Sequence, residues 1–331
     1  MNRVFILGAG FSKAINPVMP VLGELTKGVE DVLRAQNIEI GNDLGAIGDA
    51  ERWLSSLAEP APWLSPAEQL RNTALFTDVS QAIHEIINAN QQTAVTAEAP
   101  DWLLALVRYW HNTDANVITF NYDCLVELAY LDAMTSAGVY WPWDLYTIPI
   151  TPAWARVGGG ARQKLESFQL LKLHGSLDWW YSGPDAESSD PIYWMGWTGH
   201  FQETMRPLWG EFGGERIVMD KLPMLVPPAA TKGPYYKNRL LAAQWADAAA
   251  ALRDADELVI MGYSAPATDL TVTTLITTQF KGNTIVPVNR DRGLIKRAAE
   301  LGDRRNPPRV VKDFIDPKAN VMQRWTGAFA S

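Results

Sequence analysis

The chain has 331 residues, 47% of them hydrophobic and 20% charged, a balance that suits a globular protein with a large core. Its 37 acidic against 29 basic residues leave a net charge of −8, which argues against unaided binding to a phosphate backbone, so no direct nucleic-acid partner is expected. A single cysteine, Cys124, excludes an intrachain disulfide and any zinc module built on several thiolates.

The first apolar run, Val4–Leu7, ends in glycine and reads as a buried parallel strand. The whole run Val4–Gly10 is too short for a secretory core. No stretch of about 18 uncharged apolar residues follows. The chain is therefore expected to be cytoplasmic, with no membrane span. A loop is predicted through Pro17 and Pro20, then a helix from Val21 to about Leu33, where Val21, Leu22, Leu25, Val29, Val32 and Leu33 recur at helical spacing. Residues 44–58, 66–90 and 100–111 also read as helices, punctuated by Pro60, Pro62, Pro66 and Pro100.

Asn116–Phe120 is the next predicted strand, followed by a helix over Leu125–Met134. Residues 136–215 are rich in Trp, Pro and Gly, and only Phe168–Leu173 stands out within them as a strand. Ile217–Val226 is a further strand, ending in Pro227-Pro228. Beyond it the pattern is a helix over Leu240–Leu252, a strand Glu257–Met261, a helix Thr268–Phe280, a strand Thr284–Val288, a helix Asp291–Leu301 and a short C-terminal helix. Strands alternating with helices imply an α/β fold, a Rossmann-like doubly wound parallel sheet with both faces covered. A single domain is expected. Its core would draw on residues 1–40, 114–135, 165–176 and 215–315, with a helical insertion over about 41–113 and a Trp-rich one over about 136–215.

Gly8-Ala9-Gly10-Phe11-Ser12 occupies the first strand-to-helix turn, where glycines let the backbone approach a pyrophosphate and free N–H groups favour anions. The same turn also forms without a ligand. Lys13 stands where the common dinucleotide fingerprint has its third glycine, and Glu30 and Asp31 fall on a helix rather than at a ribose-binding strand end. Asn121 and Asp123 follow a strand directly. Asn121 can hold a hydroxyl, an amide or a water, and Asp123 equally reads as the cap of the next helix. His174, with Gly175 and Ser176, lies beyond Leu171–Leu173 and suits a general base near neutral pH. Gly262, Tyr263 and Ser264 follow a fourth strand and Asn289 a fifth. His84, His111 and His200 have no partner motif and read as structural. In an open α/β sheet all these strand ends meet at one edge, the edge where ligands bind.

The order Gly8-Ala9-Gly10-Phe11-Ser12, Thr119-Phe120-Asn121-Tyr122-Asp123, Lys172-Leu173-His174-Gly175-Ser176, Gly262-Tyr263-Ser264 and Asn289 resembles the sirtuin superfamily, more closely its SIR2-like branch of bacterial anti-phage systems. Pro227-Pro228 with Lys232 is similar to a further motif of that branch. The resemblance runs from residue 3 to about 290, in islands. It implies NAD as a substrate and no metal. Gly8, Ala9, Gly10, Phe11 and Ser12 would cradle the phosphates and nearby ribose. Asn121 would orient the attacking water or the ribose, Asp123 would hold the nicotinamide amide, and His174 would be the base. Gly262, Tyr263 and Ser264 would contact phosphate or ribose, and Asn289 the adenosine ribose.

Deacylating sirtuins carry a four-cysteine zinc module, and they carry Gln where this chain has Phe120. Both departures point away from protein deacylation and toward NAD hydrolysis, or cyclisation of ADP-ribose, in an abortive-infection effector. Control by homo-oligomerisation or by a partner such as an ATPase or an Argonaute-type protein follows from the same resemblance. The alternatives are an NAD or ADP-ribose sensor without chemistry and a zinc-free deacylase or ADP-ribosyltransferase. Of the tryptophans Trp141, Trp143, Trp154, Trp179, Trp180, Trp194, Trp197 and Trp209, the pair Trp179 and Trp180 is expected to line the pocket; the group as a whole reads equally as lid, interface or core.

Overall fold

A computed structural model describes residues 1–38, 50–59, 61–134, 141–152, 166–198, 200–203, 206–207, 220–227, 235–266, 269–302 and 307–330. Pro228, Lys232, Trp154 and Trp209 lie outside the described residues, as do parts of the predicted segments 44–58 and Ile217–Val226.

Six strands build one parallel sheet: β1 (Arg3–Leu7), β2 (Asn116–Thr119), β3 (Gln169–Lys172), β4 (Glu257–Met261), β5 (Thr284–Val288) and β6 (Arg309–Val310). Their order across the sheet is β6-β5-β4-β1-β2-β3, every neighbouring pair parallel. This is the doubly wound Rossmann order, which reverses direction between β1 and β4. The strands are apolar on both sides because both sides are covered. Phe5 and Leu7 of β1 pack into one core with the helices Leu22–Ala35, Pro66–Ala94, Asp101–Asn112, Leu125–Met134 and Val321–Phe329. Val4 and Ile6 face the other way, toward the helices Arg239–Asp254, Leu270–Gln279 and Leu294–Glu300.

The loop expected after Gly10 begins later. A helix, Ala9–Ile15, starts at once, because Phe11 and Ile15 are one helical turn apart and bury together on one face. The second predicted helix of the insertion, 66–90, runs from Pro66 to Ala94 as one 29-residue element. Ser65 and Glu68 form a reciprocal capping box at its start, with Pro66 in the first turn.

Two strand expectations need correction. Within the predicted Ile217–Val226, the described strand is Leu222–Leu225, and it does not join the parallel sheet. It runs antiparallel to a strand not foreseen, Gly175–Tyr181, in a separate four-stranded sheet. Gly175 makes that crossing possible. Its φ is +82°, and a Cβ there would stand 1.8 Å from the carbonyl oxygen of Met224. A side chain would therefore clash with fixed backbone as well as strain the turn.

Candidate functional site

The reversal of strand order leaves a crevice at the carboxyl ends of β1 and β4, and the two chain segments leaving those strands are pressed together there. Gly8 N–H donates to the Met261 carbonyl (3.1 Å) and Gly10 N–H to that of Gly262 (3.0 Å). Gly262 has φ +65°, and a Cβ on it would meet the backbone N of Phe11 at 2.1 Å. A Cβ on Gly10 would lie 2.8 Å from the Gly262 oxygen. These glycines therefore serve the close approach of two backbones first, and leave the space above them open second.

That space is a cavity of about 430 Å³, within the range of small-molecule sites. Gly8, Ala9, Gly10, Ser12, Asn121, Asp123, His174, Gly262, Tyr263, Ser264 and Asn289 all line it, so the fold gathers nearly every residue singled out in the sequence. Phe11 is the exception. It is fully buried on the core face of its helix, with ring contacts to Trp102 at 5.6 Å and Trp110 at 6.2 Å. Its side chain therefore belongs to the core. Trp179 and Trp180 do not line the cavity either, because the strand that carries them leaves for the second sheet. Trp179 is fully buried against Tyr146, and Trp180 lies beside His84. Trp141 stacks on Trp143, which meets the buried Trp194 edge-on.

The polar floor is built from hydrogen bonds whose directions are determined. The Asn121 amide donates to the Gly8 carbonyl (3.0 Å), which can only accept, so the N–H end of that amide is turned inward. A second donation goes to Ser12 Oγ (2.9 Å), and the Ser12 hydroxyl donates in turn to Asp123 Oδ2 (2.6 Å). Asp123 Oδ1 accepts from the Leu125 N–H (3.2 Å), so the same side chain makes the capping contact and lines the cavity. Asn121 Oδ1 is left as an acceptor for a water or a hydroxyl. His174, 6% exposed, packs against Phe120 at 5.1 Å, and the Phe120 ring in turn meets Tyr263 at 4.8 Å. The Asn289 amide donates to the Tyr263 carbonyl (3.1 Å), and its oxygen accepts from Asp291 N–H (3.1 Å). This side chain thus joins the ends of β4 and β5.

Other parts of the site have no signature in sequence. Met19, Val21, Leu22, Leu25 and Ile87 form an apolar part of the cavity wall. Ile87 comes from the long helix of the insertion, so that block helps close the site. Asp269, which caps the helix Leu270–Gln279, also reaches the cavity; a cap residue at a strand-to-helix junction was the available signal. Lys13 does not line this cavity; it borders a smaller neighbouring one and pairs with Glu24 at 2.7 Å, tying two helices together. Glu30 lies within the helix Leu22–Ala35, as does Asp31. Burial pushes the Cys124 thiol well above its ordinary value, so it is held as an inert thiol.

No protein-family model matches this chain, and no curated protein matches it. It is similar to solved structures of Sir2 enzymes. One Sir2 enzyme shares 13% identity over 99% of this chain and 91% of its own, with a TM-score of 0.42. A Sir2 homologue variant in complex with 2'-O-acetyl ADP-ribose shares 15% over 100% and 93%, with the same TM-score of 0.42. The sheet order on its own defines the fold as Rossmann-like. Among the described residues no helix is long and apolar enough to cross a membrane, and no group of three or more His, Cys, Asp or Glu side chains is placed to hold a metal ion.

Proposed function

We propose that this protein cleaves NAD at the nicotinamide–ribose bond, releasing nicotinamide and ADP-ribose. The observation that carries the reading is the cavity at the sheet's reversal point, where Asn121 presents a bare amide oxygen and His174 lines the same space. A smaller cavity of about 220 Å³ shares Gly10, Val21, Gly262 and Asn289 with the first, which gives an elongated dinucleotide room to extend toward the end of β5.

The pyridinium of NAD is already a good leaving group, so the protein's task is to place a nucleophile and shelter a cationic sugar carbon. In this mechanism the C1′–N bond breaks with its electron pair going to the ring nitrogen, giving neutral nicotinamide. A water held by Asn121 Oδ1 forms the new C1′–O bond and passes its proton to neutral His174, directly or through a ribose hydroxyl. The carboxylate of Asp123, oriented by Ser12 and the Leu125 N–H, holds the nicotinamide amide. The apolar wall from Met19 to Leu25, with Ile87, keeps bulk water from the reacting carbon. Attack by an internal nitrogen in place of water would give a cyclic ADP-ribose. A role as an abortive-infection effector against phage, restrained by self-association or by an ATPase or Argonaute-type partner, extends the same proposal.

The test is chromatography of nicotinamide and ADP-ribose after incubation with NAD. Asn121→Ala and His174→Ala are each expected to lower turnover by more than about 100-fold, the usual worth of a positioned base. NAD binding without cleavage in the wild type would favour the sensor reading. Absence of both would refute NAD as the ligand.

A further inference from the structure

We propose that Lys172 is a positioning residue that sets the Asn121–Asp123 turn against the strand carrying His174. The inference rests on the NAD-cleavage reading and deepens it. Lys172 is completely buried at the end of β3, yet no step of the mechanism above uses it. Its ammonium group donates to the Asp123 carbonyl (2.7 Å), to Glu127 Oε1 (2.7 Å) and, at 3.5 Å, to the Tyr122 carbonyl. Three donors thus meet three acceptors, which satisfies the ammonium in full.

Those two carbonyls belong to the turn whose side chains, Asn121 and Asp123, form the polar floor of the cavity. Glu127 sits on the helix that this turn begins, and the same Oε1 also accepts from the Tyr146 hydroxyl at 2.9 Å. Lys172 lies two residues before His174. One side chain therefore joins the turn that would hold the water to the strand end that would hold the base. Ser176, on the next strand, is part of the same scaffold: its hydroxyl bonds Asp178 at 2.5 Å and the Leu177 N–H donates to the Tyr122 carbonyl at 2.9 Å.

Energetics point the same way. Burial disfavours the charge on Lys172, and the neighbouring Glu127 carboxylate more than offsets it, so the amine stays protonated. Burial also raises Glu127 above the ordinary carboxylate range, against the pull of Lys172. A buried ion pair is a poor way to gain stability, since apolar residues of similar volume do as well or better. What an apolar pair cannot do is hold two backbone carbonyls in a set direction. A displacement of about 1 Å at such a site costs about 100-fold in rate.

The experiment compares wild type with a neutral pair, Lys172→Met with Glu127→Gln, in which Gln still accepts from Tyr146. Leu252→Ala, in the opposite core and away from the cavity, controls for lost stability. Single-turnover NAD cleavage is measured with enzyme in excess, and NAD affinity by calorimetry. The neutral pair should lose about 10- to 100-fold in the cleavage rate with affinity changed less than about threefold, while the control keeps its rate within about twofold. A folded neutral pair that cleaves within about twofold of wild type overturns the proposal, as does a rate loss equal to that of the control. Should the Met variant fail to fold, Lys172→Gln with Glu127→Gln replaces it under the same criteria, its shorter amide reaching the Asp123 carbonyl only weakly. A wild type that neither binds nor cleaves NAD refutes the underlying reading before any variant is made.

Discussion

Removing the Ser12 hydroxyl is the most direct perturbation of the polar floor. Ser12 is 3% exposed and Asp123 is 7% exposed, so their 2.6 Å contact is a charge-assisted hydrogen bond largely out of water. Such bonds contribute about 1.5–3 kcal/mol. Ser12→Ala also takes one of two acceptors from the Asn121 amide; the other, Gly8 O at 3.0 Å, remains, so this second loss is about 0.5–1.5 kcal/mol. The sum is about 2–4.5 kcal/mol. With an unfolding entropy of about 2 cal/mol/K per residue over 331 residues, that corresponds to a fall of about 3–7 °C in Tm. Thermal unfolding followed through the 14 tryptophans reads it. A cycle with Asp123→Asn isolates the pair: the two losses should fall short of additivity by at least about 1 kcal/mol, because the second change removes a contact already broken. Strict additivity, within about 0.5 kcal/mol, would mean that the bond does not organise the floor and that the assigned directions are wrong.

Three further predictions concern backbone packing and titration. Gly10→Ala drives a Cβ to 2.8 Å from the Gly262 oxygen and should cost about 1–3 kcal/mol. Gly327→Ala, in the last helix with open space around it, should instead gain about 0.5–1 kcal/mol in denaturant unfolding; the same sign at both sites would contradict the packing described. Burial lowers the His84 imidazole below its ordinary value of 6.5, so the unfolded chain takes up a proton more readily there. The resulting stability is complete above pH 6.5 and is lost as pH falls through the lower folded value. His84→Phe should flatten that part of a urea-midpoint profile between neutral and acid pH, and an unchanged slope would refute it.

Much of the site was legible because strand ends in a doubly wound sheet meet at one edge whatever their distance in sequence. Gly8, Asn121, His174, Gly262 and Asn289 each follow an apolar run, and parallel pairing does the rest. Phe11 was misread because motif position says where a backbone goes, not which way a helical side chain points. Trp179 and Trp180 were misread for a related reason: nearness in sequence to His174 lapses where Gly175 turns the chain into a second sheet.

Local pattern was enough for five of the six strands of the parallel sheet, most of its helices, the glycine turns and the exclusion of a multi-thiolate zinc site, since each depends on the spacing or count of residues within the chain; the short edge strand Arg309–Val310 was not foreseen. Tertiary packing alone decided the strand order, the role of Leu222–Leu225, the apolar wall with Ile87, and the burial of Lys172 against Glu127 and the Asp123 carbonyl. These arise between residues far apart in sequence, where the burial of a charge or the closing of a crevice is set by what lies opposite, and a one-dimensional pattern carries no record of that.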